Sequence, residues 1–136
     1  MQLNPYLTFN GNCAEAFKFY EKALGAKVVM MMTYGDTPAA KDCAPGMSDK
    51  VIHARMTIDG QVVMASDAPA GRYSTPQGTV LNLGVKEPAE AERIFQALSD
   101  GATITMPIGE TFWAKRFGML TDRFGTPWMV NCEKPM

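Results

Sequence analysis

Apolar and polar positions follow two periods along this chain, and the points where the period changes mark out its elements. Residues 5–9, 27–33, 51–58 and 61–65 read as strands, with Asp59-Gly60 between the last two as the dipeptide of a tight hairpin turn. After the first strand, Ala16, Phe19, Tyr20, Ala23 and Leu24 fall at i, i+3, i+4, i+7 and i+8, the stripe of a helix with one buried side. Asn12 is placed to cap that helix, Glu15 to reach back to the cap, and Gly25 to stop it in a left-handed conformation.

The pattern then repeats. Shifted by 75 residues, Ala91, Ile94, Phe95 and Leu98 form the same stripe, with Pro88 suited to the first turn and Gly101 to the stop. Ala14-Glu15-Ala16 recurs as Ala89-Glu90-Ala91, and Gly25-Ala26 as Gly101-Ala102. Strand runs at 79–85, 103–107, 115–121 and 127–132 accompany this second helix, with a turn at 122–125. A shift of 65 lays Gly60 on Gly125 and Val62-Val63-Met64 on Pro127-Trp128-Met129. Each half therefore reads β-α-β-β-β.

One helix cannot cover both faces of a four-stranded sheet, so the halves are expected to pack together. The expected fold is α+β, two tandem βαβββ modules forming a curved eight-stranded mixed sheet around a cleft, the kind of concavity in which small ligands bind. Domain organisation follows as a single domain over 1–136, with module 1 at 1–67 and module 2 at 78–136. Two aperiodic connections, 35–49 and 66–78, are rich in Gly, Pro, Ala and Ser and fit either lids or plain excursions.

Composition narrows the function classes. Thirteen basic and fourteen acidic side chains, neither sign clustered, argue against a nucleic-acid surface. No apolar run approaches the ~20 residues of a membrane span, and the N-terminus lacks a charged-then-apolar signal pattern. A cytoplasmic protein without membrane or nucleic-acid partners is the expectation. Three cysteines (Cys13, Cys43, Cys132) without CxxC spacing fit neither a disulfide framework nor a zinc knuckle, and suit inert thiols better than a nucleophile. One histidine, His53, excludes any site that needs two or more imidazoles from one chain.

Candidate chemistry gathers at a few positions. His53 shares a strand face with Val51, Arg55 and Thr57. It reads as a catalytic general base, with Asp67 as its orienting partner, as a lone metal ligand, or as a half-buried sheet residue hydrogen-bonded to backbone or to Asp67. Asp67 and Asp122 lie at strand ends, where turn capping is the alternative role. In the second half, Phe112, Trp113 and Phe117 surround Lys115-Arg116, and aromatics beside a guanidinium suit a planar or anionic ligand. The same aromatics could close a core or a dimer seam, the reading favoured for Trp128. Trp113, Arg116, Phe117, Met64, Met129 and Asn82 make up the candidate ligand-binding set. Eleven methionines, including Met30-Met31-Met32, fit core filling as well as an adaptable cavity.

Several segments carry a family resemblance across nearly the whole chain. They are residues 5–12 running into Glu15-Ala16 and Phe19-Tyr20, then Ile52-His53-Ala54, Met64-Ala65-Ser66-Asp67, residues 120–129 from Leu120 through Asp122-Arg123-Phe124-Gly125, and Asn131. Together they resemble the vicinal-oxygen-chelate superfamily of glyoxalase I, bleomycin-resistance proteins and extradiol dioxygenases, and within it the PhnB-like branch. The resemblance implies homodimers and, in the metalloenzymes, a divalent ion held from the first and last strand of each module. Those places fall on about Pro5, Val80, Met64 and Met129, with Thr79 or Ala65 one residue away. Proline, valine and thioether side chains are not ligands for a hard divalent ion, so neither a metal nor another cofactor is expected. Two functions remain open: a small-molecule binder without the ion, or a lyase- or oxidoreductase-type enzyme using a divalent metal or His53. A methyltransferase label, frequent in this branch, finds no strand-then-GxGxG loop to support it.

Overall fold

A computed structural model describes residues 1–135. Its eight strands are hydrogen-bonded as two sheets of four, one in each of two units, Met1–Thr75 and Pro76–Met136. In the first unit the order along the chain is β1 (Tyr6–Phe9), helix α1 (Cys13–Leu24), β2 (Lys27–Thr33), β3 (Val51–Ile58) and β4 (Gln61–Asp67). Across the sheet the order is β1-β4-β3-β2, with β1 parallel to β4 and the other pairs antiparallel. Asp59 and Gly60 both take positive φ, 48° and 79°, the conformation a two-residue hairpin turn needs to match strand twist. That turn fixes Ile58 opposite Gln61 and so sets the register of the whole β3–β4 ladder.

Helix α1 buries Cys13, Ala16, Phe17, Tyr20 and Ala23 against this sheet. Phe17, absent from the expected stripe, meets Phe9 of β1 edge-on at 6.4 Å, while Phe19 and Leu24 lie at the flanks, half-buried. Gly25 ends the helix at φ 67° as expected. At its start the expectation fails: Asn12 stands at the cap position, but its side chain accepts no capping hydrogen bond. The Cys13 N–H donates instead to Asp67 Oδ1 at 2.9 Å, a cap supplied by β4 from 54 residues away. Strand β4 also runs two residues beyond the expected end, so the second connection begins at Ala68. The first connection holds two short 3-10 helices, Tyr34–Asp36 and Pro38–Lys41, and is closed at its base where Tyr34 and Gly35 donate to Lys50 O and Ser48 O. A Cβ on Gly35 would stand 2.8 Å from Ser48 O, so only glycine permits that approach.

The second unit repeats the layout with β5 (Leu81–Gly84), α2 (Pro88–Leu98), β6 (Thr103–Gly109), β7 (Ala114–Thr121) and β8 (Pro127–Glu133), in the order β5-β8-β7-β6. The stripe of α2 is the expected one, Ala91, Ile94, Phe95 and Leu98. The helix ends before the expected stop. Ser99 donates its hydroxyl to Phe95 O at 2.6 Å, and Gly101, at φ 74°, turns the chain two residues later. Trp128, Leu120 and Val130 fill this core, and the buried Trp128 Nε1 donates to Asp122 Oδ2 at 2.8 Å. Asp122 Oδ1 accepts from Phe124 N and Thr126 N, so this carboxylate organises the β7–β8 turn.

Candidate functional site

Strand alternation divides each sheet into a face packed on its own helix and a face turned away from it. In the first sheet, Leu7, Phe9, Ala54, Met56, Val63, Ala65 and Asp67 fall on the helix side by register. The opposite face pairs Tyr6 with Met64, Arg55 with both Met64 and Met30, and His53 with Met32. Thr8 and Ser66, paired with each other across β1 and β4, share that face.

His53 is the centre of a small polar cluster there. Its Nδ1 lies 3.3 Å from Tyr6 Oη, and Arg55 Nε donates to its Nε2 at 3.4 Å. The Tyr6 and His53 rings are 5.8 Å apart and tilted by 31°. Thioethers of Met30, Met32 and Met64 border the cluster by register. Polarizable apolar groups around a few directed donors are what a small-molecule site requires. Alternation along β3 already sets Arg55 on the face of His53, whereas Tyr6 does not stand out in the linear sequence, because its place depends on pairing β1 beside β4.

Asp67 is not part of this cluster. The expectation of a His53–Asp67 pair is corrected by alternation, since the carboxylate lies on the helix side of β4, 1% exposed. Its Oδ1 accepts from Cys13 N and its Oδ2 from Val51 N at 2.8 Å, so it ties the start of α1 to the start of β3. Burial, reinforced by the Asp67 charge, pushes the Cys13 thiol up to about 12, far from a reactive thiolate at neutral pH. Cys132 is buried and donates to Lys86 O, and Cys43 donates to Ala40 O.

In the second sheet, Asn82 and Met119 both stand opposite Met129, and Phe117 stands opposite Asn131, all on the face away from α2. Trp113 packs edge-on to Phe117 at 5.3 Å, and Phe112 packs on Trp113 at 4.8 Å. Asn131 donates Nδ2–H to Glu133 Oε1 and keeps a buried Oδ1 with no partner among the described residues. Asn82, Met129, Phe117 and Trp113 are thus brought together. Arg116 is not. It stands opposite the buried Cys132, on the helix side, and its Nε donates to Glu92 Oε1 of α2 at 2.9 Å. Adjacent strand residues point to opposite faces, so Arg116 and Phe117 cannot serve one surface. Met64, the remaining member of the set, lies with Tyr6 in the first unit.

The four places expected for a divalent ion are shifted by the parallel ladders, which set Tyr6, not Pro5, opposite Met64 and Asn82, not Val80, opposite Met129. Thioethers do not fit a hard divalent cation, one phenol and one amide oxygen supply too few donors for it, and no three of His, Cys, Asp and Glu converge among the described residues. No helix among the described residues is long and apolar enough to cross a membrane.

Comparison with known proteins bears on the whole of this layout. A family model described as the Glyoxalase/Bleomycin resistance protein/Dioxygenase superfamily matches residues 2–130. Protein YjdN of Escherichia coli (strain K12) is 39% identical over 143 aligned positions, covering 98% of this chain and 97% of its own. Protein PA1353 from Pseudomonas aeruginosa, of known crystal structure, is 47% identical with a TM-score of 0.89 and 99% of each chain covered. A PhnB protein from Bacillus cereus is 26% identical with a TM-score of 0.82, over 97% of this chain and 99% of its own.

Proposed function

The chain belongs to the glyoxalase/bleomycin resistance protein/dioxygenase superfamily, in its PhnB-like branch, and on that premise we propose that it binds a small planar or anionic molecule without a hard divalent ion. The observation that carries this reading is the Tyr6–His53–Arg55 cluster among methionines, on the sheet face that α1 leaves uncovered. Its donors are directed and its surroundings are apolar and deformable, which suits recognition of a compact ligand. Within its own unit the second sheet carries Asn82, Met129, Phe117 and Trp113 on one face, groups suited to stacking and amide hydrogen bonds.

The test is thermal unfolding in the presence of a panel of aromatic acids, aromatic amines and neutral aromatics. A ligand at a hundredfold over its Kd adds about 2.7 kcal/mol, a rise of several degrees in Tm for a chain of this size. Stabilisation by some panel members, lost in Met64→Glu with the fold retained, is the expected result. A panel without any stabilising compound, or a Met64→Glu variant that responds like the parent, overturns it. Metal analysis of protein purified without chelator adds a second arm, since a stoichiometric divalent ion would replace this reading with a metalloenzyme.

The oriented imidazole favours one alternative, acid–base chemistry through His53. Turnover of a stabilising compound that disappears in His53→Gln would decide for it. The expected partner beyond the ligand is a second copy of the chain. In support, the edge strands β2 and β6 expose Val29, Met31, Ile104 and Met106, an arrangement prone to pairing. Light scattering that returns only the 14.9 kDa mass removes that partner.

A further inference from the structure

The two hydrogen bonds at His53 are not equivalent. A guanidinium nitrogen carries its proton throughout the accessible pH range and accepts nothing, so the contact from Arg55 Nε makes His53 Nε2 an acceptor. A neutral imidazole that accepts at Nε2 holds its proton on Nδ1. Nδ1–H therefore donates to Tyr6 Oη, and the phenol, already serving as acceptor, has its own O–H left to give. Beyond Nε, the terminal nitrogens of Arg55 face no carboxylate within ion-pairing distance among the described residues. Tyr6 and Arg55 are both exposed, 48% in the case of Tyr6, so their spare donors are open to a ligand.

We propose that Arg55 sets the His53 tautomer and thereby makes Tyr6 a hydrogen-bond donor, so that the molecule bound on this face presents an oxyanion to Tyr6 Oη–H and the Arg55 terminal nitrogens. The proposal rests on the reading that this face binds a small molecule, and it narrows the ligand to an anion on an apolar body. The methionines bordering the cluster meet the apolar part, and the guanidinium supplies the charge. Arg55 acts on Tyr6 through the imidazole and is in that respect a positioning residue. The opposite tautomer would turn the Tyr6 hydroxyl toward Nδ1 and leave its oxygen facing the ligand as an acceptor.

Because His53 is the only histidine, the ring-nitrogen spectrum of nitrogen-15-labelled protein reports its tautomer without ambiguity. The Nδ1–H form is expected in the parent and in Tyr6→Phe, where Arg55 still donates to Nε2, with a shift toward the Nε2–H form in Arg55→Met. A parent dominated by the Nε2–H form overturns the inference and leaves small-molecule binding itself standing. The ligand class is tested by titrating benzoate, benzyl alcohol and benzamidine into the same samples. Benzoate is expected to bind best and to lose about tenfold in affinity in both Tyr6→Phe and Arg55→Met, as removal of a hydrogen bond to a charged group predicts. Benzamidine or benzyl alcohol binding as well as benzoate, or benzoate binding unchanged in Tyr6→Phe, rules out the oxyanion. Stabilisation by non-anionic members of the thermal panel would then still support the broader reading.

Discussion

Tyr6, His53, Arg55 and Met64 of the first sheet correspond, place for place, to Asn82, Phe117, Met119 and Met129 of the second. Tyr6 and Arg55 flank Met64 as Asn82 and Met119 flank Met129, and His53 and Phe117 each lie two residues before that flanking residue on their strand. The central methionine is common to both, while everything around it differs. One face carries a phenol, an imidazole and a guanidinium; the other carries an amide, an aromatic ring and a thioether. The helix sides differ in a matching way. Asp67 and Cys132 occupy equivalent ends of β4 and β8, and the helices they approach begin at Cys13 and Pro88. Cys13 has a buried N–H that needs an acceptor, whereas Pro88 has none, so a carboxylate is required only in the first unit. Where the backbone makes no demand, a thiol donating to Lys86 O suffices. A repeated layout thus fixes where side chains go, and the local donor count decides which chemistry each place can hold.

The largest test of that difference is at this pair. Asp67→Ala strips acceptors from two backbone N–H groups, those of Cys13 and Val51, in a place that is 1% exposed. Two charge-assisted hydrogen bonds lost with their donors left buried predict about 3–5 kcal/mol of destabilisation. Cys132→Ala removes one sulfur from a packed site and is expected to lose about 1 kcal/mol. Urea unfolding of the two variants measures both. Equal losses would show that the first unit does not depend on the long-range cap that Asp67 supplies.

A second test lies where the two helices meet their sheets. Gly118 of β7 stands opposite Val130 as Ala54 of β3 stands opposite Ala65, so the two are equivalent. A Cβ on Gly118 would come within 2.7 Å of the Phe95 ring and 3.0 Å of the Ile108 Cα, a ring in the core and a backbone atom that have little room to give. Gly118→Ala is expected to lose about 2 kcal/mol through overpacking. Ala54→Gly, at the fully buried position of the first unit, is expected to lose about 1 kcal/mol through backbone entropy. Denaturation midpoints that rank the two in the opposite order would mean that α2 can move off its sheet without loss.

Much of this layout is legible in the sequence alone. Strands β2 and β3 begin and end where alternation places them, and the Asp59-Gly60 turn marks the hairpin, because strand period and turn chemistry are local. The separation of His53 from Asp67 was legible too. Counting outward from that turn puts Ser66 opposite His53 and sends Asp67 to the other face. Tyr6 was not legible, since β1 pairs in parallel with a strand 58 residues away and no turn sets its register. Nor was the cap of α1, where Asn12 satisfies every local rule for the role. A carboxylate delivered by tertiary packing takes the first N–H instead, and nothing near Asn12 in the chain announces it. Local chemistry reads well from a chain, and long-range register reads poorly.

The smallest expected effect sharpens the contrast between two arginines that look alike in sequence, each on the third strand of its unit. Arg55 lies on the face away from α1 and bonds an imidazole; Arg116 lies on the helix side and pairs with Glu92. Both partners of the second pair are partly in solvent, 37% and 50% exposed at the side chain, so screening leaves the interaction worth about 0.5 kcal/mol or less. Arg116→Gln should therefore shift the urea midpoint barely at all, and less still in high salt. Because its guanidinium is turned toward α2, the same substitution should leave benzoate affinity at the parent value, while Arg55→Met lowers it. Isothermal titration of the two variants side by side provides the comparison. A loss of affinity in Arg116→Gln as large as that in Arg55→Met would return Arg116 to the ligand and break the assignment of faces on which the distinction between the two sheets depends.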